Sequence, residues 1–204
     1  MKQKILDSKT KILEAALQEF SKHSYETAST NNIAKASGIS KGTIFNYFES
    51  KEKLFKQVID YSISTFKSEL NNFKISVNEP VSIIRESIYF IYDFHQKHPE
   101  IYSIYLRSIY DLSIPYRDEL LKVVKLFSTL LTYRIMYKFK KLNILCKQYS
   151  EEALLYIFNS VLSRFIDSYF LEGVSPLDNK IIFEQICMIL TDILLEKKNE
   201  SQEN

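Results

Sequence analysis

Glycine, proline, cysteine and tryptophan are scarce in this 204-residue sequence, which contains three glycines, four prolines, two cysteines and no tryptophan. So few glycines and prolines leave little material for the many tight turns of a β-rich fold. Neither Cys146 nor Cys187 has a second cysteine or a histidine beside it at metal-ligand spacing, which argues against a disulfide scaffold or a zinc site. The sequence therefore predicts an all-α protein.

Long apolar runs and enzyme signatures are also missing. No stretch of about 18 residues is apolar and uncharged throughout, and charges interrupt the N-terminus too often for a secretory signal. We therefore expect a cytoplasmic protein with no membrane partner. Without an HExxH motif, a phosphate loop or a nucleophile signature, an enzyme is disfavoured and no cofactor or metal is expected. His95 and His98 are interpreted as surface or capping residues rather than metal ligands.

Charge is unevenly distributed along the chain, although the formal net charge is only +2. Residues 1–56 contain ten lysines against six acidic residues, and the remainder is slightly acidic. A basic end of this kind is typical of a nucleic-acid partner, although on charge alone a solvated lysine-rich surface explains it equally well.

Apolar residues recur at spacings of three and four along most of the chain, which predicts a series of helices. The first is expected from about Lys9 to Lys22, and Ser29, Ser40 and Ser50 are expected to cap the next three, the last reaching about residue 73. Each of the four prolines is expected to open a later helix. These helices are predicted near 79–96, 99–110, 115–142, 151–171 and 176–197, opened by Pro80, Pro99, Pro115 and Pro176, with Gly173 as the cap before the last.

Two of the three glycines lie four residues apart in "SGISKGTIF". Ala34, Gly38 and Ile44 follow the pattern of a helix-turn-helix: a small residue at the helix crossing, a turn that needs positive φ, and an apolar residue facing the core. An advance of about 100° per residue puts Gly42 and Asn46 on the opposite, outward face. There Gly42 would let the backbone approach a DNA groove or a phosphate.

Lys41, Lys51 and Lys53 flank this outward face, and phosphate contacts dominate DNA affinity, so the pattern favours DNA binding. The alternatives are a first-turn glycine without a role and an αα-hairpin that binds nothing.

The segment "IAKASGISKGTIFNYFESKEKLF" resembles the signature of TetR-family transcriptional regulators, and the resemblance extends over residues 9–56. It implies an N-terminal three-helix helix-turn-helix head, a linking fourth helix and a C-terminal helical bundle that dimerises and often binds a small-molecule inducer. The implied division is residues 1–50 for DNA binding and residues 51–204 for the linking helix, ligand binding and dimerisation.

The resemblance also implies which residues contact DNA. Phe45 stands where the family usually has tyrosine, Asn31 where it often has a basic residue, and Asn32 where it usually has an acid. The implied base contacts are Thr30, Asn31, Lys41, Gly42, Phe45 and Asn46, and the implied phosphate contacts are Thr43, Tyr47 and Lys51.

Two apolar stripes near the C-terminus have more apolar surface than one partner helix requires, and the resemblance implies a four-helix homodimer interface built from them. Burial within one subunit is the alternative. The interface residues implied are Leu155, Phe158, Leu162, Phe165, Ile182, Ile186, Ile189 and Ile193.

Aromatic residues are dense between positions 89 and 137, as expected of a cavity lined by rings with few polar anchors. A solid core in a chain rich in Ile, Lys, Asn, Phe and Tyr would read the same way. The candidate ligand-pocket residues are Tyr89, Tyr92, Asp93, Tyr105, Tyr110, Phe127, Tyr133 and Tyr137.

The function predicted is a DNA-binding transcriptional regulator: a dimeric repressor released from a palindromic double-stranded operator by a small apolar or aromatic inducer. The alternative is a constitutive DNA-binding or architectural protein without an inducer.

Overall fold

The structure, a computed structural model, describes residues 2–172 and 179–196. Within these residues it contains nine α-helices and, apart from an isolated antiparallel bridge between Leu145 and Leu195, no β-structure. The all-α prediction is confirmed. The helices are α1 (Lys2–Lys22), α2 (Thr30–Ser37), α3 (Lys41–Phe48), α4 (Lys51–Asn72), α5 (Pro80–Lys97), α6 (Pro99–Tyr110), α7 (Arg117–Lys141), α8 (Glu151–Glu172) and α9 (Lys180–Leu194).

The described residues divide into two compact units. The first comprises residues 2–72 and 93–124, and the second comprises residues 73–92, 125–172 and 179–196. The predicted division at residues 50 and 51 is a division of function and stays a prediction. Over the described residues, none of the helices has the length and apolarity required to cross a bilayer.

The head, by which we mean helices α1 to α3, is built around a small apolar core in the first unit. Short helices such as α2 and α3 are marginal on their own, so packing and end capping must hold them. The predicted caps of α2, α3 and α4 are confirmed, since the hydroxyls of Ser29, Ser40 and Ser50 each accept a backbone N–H three residues later. The head core contains Ile12, Ala16, Phe20, Ile33, Ile44 and Phe48, and Leu54, Phe55 and Val58 of α4 are buried in the same unit.

Two of the prolines open helices as predicted: Pro80 and Pro99 are the first residues of α5 and α6. The prediction for Pro115 is wrong, because α7 begins at Arg117. Tyr116 intervenes with φ of 57°, and a residue in this left-handed region cannot belong to a right-handed helix. The predictions for Gly173 and Pro176 lie outside the described residues.

The start of the first helix was also predicted too late. Helix α1 begins at Lys2, seven residues before Lys9. The added segment is rich in Lys and Gln, which are good helix formers but carry no clear apolar stripe.

In the second unit, α8 and α9 pack against each other along one side of each helix. Arg85 of α5 is bound to α9 through a bidentate pair, in which its Nε and Nη2 donate to the carboxylate of Glu184 at 2.9 and 2.6 Å. The buried residues are Leu154, Phe158 and Leu162 on α8 and Phe183, Cys187, Leu190, Thr191 and Leu194 on α9.

Candidate nucleic-acid interface

Helix α3 is oriented by its cap and by two buried side chains. The Ser40 hydroxyl accepts the N–H of Thr43 at 3.2 Å, and Ile44 and Phe48 are buried in the head. With those two side chains facing inward, Gly42 and Asn46 lie exposed on the other side of the helix. The outward face of α3 is therefore small and polar near its start.

Glycine occupies positions 38 and 42 of the motif for different physical reasons. Gly38 adopts φ of 68° at the end of α2, and the N–H of Ile39 donates to Ala34 O at 3.2 Å, which closes the predicted turn. At Gly42 a Cβ atom would meet nothing nearer than Ser40 Oγ at 4.0 Å. Packing within the chain therefore does not require glycine at position 42, and its missing side chain matters only to something that approaches from outside.

Lysines lie over two of the three aromatic rings of α3. Lys41 Nζ is 5.9 Å from the ring centroid of Phe45, and Lys9 Nζ is 5.7 Å from that of Tyr47. Such cation–π contacts are worth about 0.5–1 kcal/mol at exposed sites, and they leave the ammonium N–H groups able to donate to a phosphate. Lys9 is one of the ten lysines of the basic N-terminal part of the sequence, but the sequence does not place it beside α3; only the packing of α1 shows that proximity.

Lys51 is engaged within the head's own unit. Its Nζ donates to the carbonyl oxygen of Glu26 at 3.0 Å and lies 4.9 Å from the ring centroid of Tyr25. Burial lowers the pKa of Lys51 from its ordinary value, opposed by the nearby carboxylates of Glu19 and Glu26. Lys51 thus holds the connection between α1 and α2, and the phosphate contact implied for it stays a prediction.

All nine residues predicted to contact DNA lie on α2, on α3 or at the start of α4, within one compact unit. Their assignment to bases or phosphates stays a prediction. The exposed members are Asn31, Lys41, Gly42 and Asn46, and the half-buried members are Thr30, Thr43, Phe45, Tyr47 and Lys51.

The predicted interface residues separate into two groups. Phe158 and Leu162 are buried within the single chain, whereas Ile182 and Ile189 are 48% and 57% exposed. Leu155, Ile186 and Ile193 are half-buried, and the side chain of Phe165 lies outside those the structure describes.

Sequence reasoning missed other exposed apolar residues of the same helices. Both helices are apolar on more than one side, so periodicity alone does not say which side faces the protomer's core. The additional exposed residues are Tyr156, Ile157 and Val161 on α8 and Ile181 and Met188 on α9.

The candidate ligand-pocket residues are spread over both units. Asp93, Tyr105 and Tyr110 belong to the first unit and the other five to the second. The ring of Tyr89 packs against that of Phe183 with centroids 5.2 Å apart. Their role as a pocket stays a prediction. Tyr89, Asp93, Tyr110, Tyr133 and Tyr137 are exposed, and Tyr92, Tyr105 and Phe127 are half-buried.

Known proteins resemble the chain most clearly in the head. Residues 12–58 match the model of the family described as bacterial regulatory proteins, tetR family. The HTH-type transcriptional repressor NicS of Pseudomonas putida is 31% identical over 93 residues, 46% of this chain and 44% of NicS. The nucleoid occlusion factor SlmA of Actinobacillus pleuropneumoniae is 29% identical over 107 residues, 52% of this chain and 51% of SlmA. The alignments thus span about half the length of these relatives or less.

The likeness in fold extends further than the likeness in sequence. The crystal structure of a TetR family transcription regulator from Marinobacter aquaeolei VT8 matches 97% of this chain and 100% of its own with a TM-score of 0.65, at 18% identity. An identity this low supports a shared fold and nothing finer. Taken with the capped helix-turn-helix and the family match over residues 12–58, it leads to one conclusion: the head is a helix-turn-helix domain of the tetR family, and the chain shares the fold of TetR family regulators.

Proposed function

We propose that this chain is a dimeric transcriptional repressor that binds a palindromic operator through its head and leaves it when a small apolar or aromatic ligand binds. The observation that carries the proposal is the outward face of α3, where Gly42 and Asn46 are exposed beside Lys41. A small, polar face flanked by lysines can enter a major groove and donate to base edges and phosphates. That the relative NicS is named a transcriptional repressor supports repression over activation.

Asn46 tests the base-reading part of the proposal. An asparagine can bond an adenine edge bidentately, and such a pair discriminates by about 1–3 kcal/mol, or about 5- to 150-fold in affinity. An operator is first selected from a random duplex library, and binding is then measured by fluorescence anisotropy at one salt concentration. We expect Asn46→Ala to weaken operator binding while sparing non-specific DNA.

The matched control is Asn78→Ala, which removes an exposed asparagine outside the head. It should bind both DNAs as the unaltered protein does. If Asn46→Ala weakened operator and non-specific binding equally, Asn46 would not be a base-reading residue.

The homodimer is supported by an apolar face left uncovered on α8 and α9. On α9, Ile181 and Ile182 and then Met188 and Ile189 are exposed at helical spacing, opposite the buried side of the helix. Exposed apolar patches of this kind mark association sites. A two-fold dimer would present two copies of α3 to half-sites about 34–36 Å apart, which is why a palindromic operator is expected.

Release by a ligand rests on differential binding. A ligand shifts the protein off DNA only if it binds the DNA-incompetent arrangement better, and a tenfold loss of DNA affinity needs about 1.4 kcal/mol. The dense aromatic residues of α5 to α7 favour an apolar or aromatic compound. A compound screen against the protein–operator complex tests this, and the absence of any releasing compound together with a closed core in a crystal structure would contradict it.

A second candidate is a constitutive DNA-binding or architectural protein; the match to a protein named nucleoid occlusion factor is consistent with it but does not favour it over the repressor. Occupancy mapped across the genome separates the two: a repressor is expected at few promoters, an architectural protein at many dispersed sites.

The cytoplasmic location expected from the sequence stays a prediction.

A further inference from the structure

Helix α2 depends on its first turn for its position. It has only eight residues, and its start carries Thr30 and Asn31, two of the residues assigned to DNA contact. The first N–H groups of a helix have no partner inside the helix and must be satisfied by a cap. Whatever holds these groups also sets the angle at which α2 presents Thr30 and Asn31.

Only one of the two hydrogen bonds of a capping box is formed within α2. In that motif the N-cap hydroxyl accepts the N–H of the third helical residue, whose own Glu or Gln side chain accepts the N-cap N–H in return. Here Ser29 Oγ accepts the N–H of Asn32 at 3.4 Å. The Asn32 side chain does not return the contact, because its Nδ2 donates to Glu19 Oε1 at 3.2 Å.

The acceptor for the second hydrogen bond is provided by α1. The N–H of Ser29 donates to the same Oε1 atom of Glu19, at 2.8 Å. One carboxylate oxygen of α1 therefore accepts hydrogen bonds from the N-cap residue and from the third residue of α2. Two donors on one acceptor restrain both the distance of α2 from α1 and its rotation.

We infer that Glu19 is a positioning residue for DNA recognition: it completes the capping box of α2 from a neighbouring helix and so holds Thr30 and Asn31 in their reading position. The inference rests on the proposed function for its effect on DNA. The contact itself depends only on the head.

Charge and geometry predict opposite results when Glu19 is replaced. Removing a carboxylate from a DNA-binding head should by itself strengthen DNA binding, because it reduces repulsion of the phosphates. If Glu19 positions α2, Glu19→Ala should instead weaken operator binding, by about three- to tenfold, while non-specific binding is unchanged or stronger. Glu14→Ala, which removes an exposed carboxylate from the same helix, is the matched control for charge and should not weaken operator binding.

A double variant tests whether the loss of operator binding comes from the missing hydrogen bond to the Ser29 N–H. In Glu19→Ala/Asn32→Glu, the new carboxylate can accept the Ser29 N–H within α2, and the net charge of the unaltered chain is restored. We expect this double variant to bind the operator to within about twofold of the unaltered protein. Glu19→Gln keeps an acceptor oxygen and should lie between Glu19→Ala and the unaltered protein.

Hydrogen exchange of the Ser29 amide, measured by NMR on the free protein, reports the contact without DNA. Protection should fall in Glu19→Ala and return in the double variant. The inference is overturned if Glu19→Ala binds the operator as tightly as Glu14→Ala does, or if Ser29 protection does not change. If the unaltered protein selected no DNA sequence, the proposed function would fail, while the exchange experiment would still decide whether Glu19 caps α2.

Discussion

The head and the α8–α9 pair are stabilised in different ways. In the head, two of the three helices have eight residues each, and hydrogen bonds at defined atoms set their ends: serine hydroxyls, the turn at Gly38 and the Glu19 carboxylate. Helices α8 and α9 are about two to three times longer and pack by apolar side chains, with further apolar residues left exposed.

This difference agrees with the roles proposed for the two regions. A short helix gains little from its own hydrogen bonds, so its caps decide whether it forms and at which residues it begins and ends. Apolar packing is non-directional and scales with area, so it is suited to association rather than to reading. Substitutions in the head should therefore change DNA binding through geometry, and substitutions on the exposed face of α8 and α9 should change it through assembly.

The largest effect is expected for a charge on the exposed face of α9. Ile189→Asp should weaken dimerisation by about 100-fold, or about 2.7 kcal/mol, because the interface would bury an unpaired carboxylate. Analytical ultracentrifugation measures the shift from dimer to monomer, and operator affinity should fall with it. Leu112→Asp, at a residue that is 78% exposed outside that face, is the matched control and should remain dimeric. A dimer of unchanged affinity in Ile189→Asp would show that this face does not carry assembly.

A pH effect of about 1–2 kcal/mol is expected in the first unit. The sequence suggested a surface or capping role for His95, but its ring is largely buried. This burial, with a smaller effect of the nearby His98, lowers the pKa of His95 from 6.5 to about 3. Between these values the unfolded chain binds a proton that the folded chain does not, so stability falls as the pH drops below 6.5, and the loss at pH 5 is about 1–2 kcal/mol.

Urea unfolding at pH 7 and pH 5, compared with His95→Phe, isolates this contribution. The substitution keeps an aromatic ring against Tyr102, whose centroid lies 4.4 Å from that of His95. The variant should lose less stability on acidification than the unaltered protein. Equal losses would mean that groups other than His95 cause the acid sensitivity.

The smallest effect is expected at the glycines of the head. Gly42→Ala should leave the fold as stable or slightly more stable, because a Cβ meets no atom within 4 Å other than Ser40 Oγ at that limit. It should still weaken operator binding by about fivefold, or about 1 kcal/mol, if DNA approaches the α3 backbone there. Gly38→Ala is the contrasting variant, since at φ of 68° alanine should cost about 1 kcal/mol of folding stability. Thermal unfolding measures the effect of each variant on folding stability, and fluorescence anisotropy measures its effect on DNA binding. Unchanged operator binding in Gly42→Ala would show that DNA does not approach the α3 backbone closely at this position.

Much of the head was predictable from its sequence because its signals are local. Ser29, Ser40 and Gly38 act through atoms a few residues away, so spacing along the chain suffices to identify the caps and the turn. Pro115 shows the limit of such rules. Proline at a first helical turn is a preference, and the backbone at Tyr116 takes a left-handed conformation that delays α7 by two residues.

The exposed faces of α8 and α9 and the long-range contacts of the head could not be predicted in the same detail. On helices as apolar as α8 and α9, the sequence does not distinguish the environments of Phe158 and Ile189. In the structure Phe158 is buried within the protomer and Ile189 is exposed. The link from Glu19 to Ser29 joins residues ten positions apart on different helices, and the proximity of Lys9 to Tyr47 depends on how α1 packs.

By itself, the sequence determined the helical class, the caps of the short helices and the residues that face outward on α3. These features depend on periodicity and on hydrogen bonds between near neighbours in the chain, which operate wherever the segment lies. The tertiary structure alone decided which apolar stripe is buried in the protomer's own core, which lysines lie beside α3 and which carboxylate completes the cap of α2. Those outcomes depend on how helices distant in sequence pack together, and burial and long-range hydrogen bonds are properties of that packing rather than of any one segment.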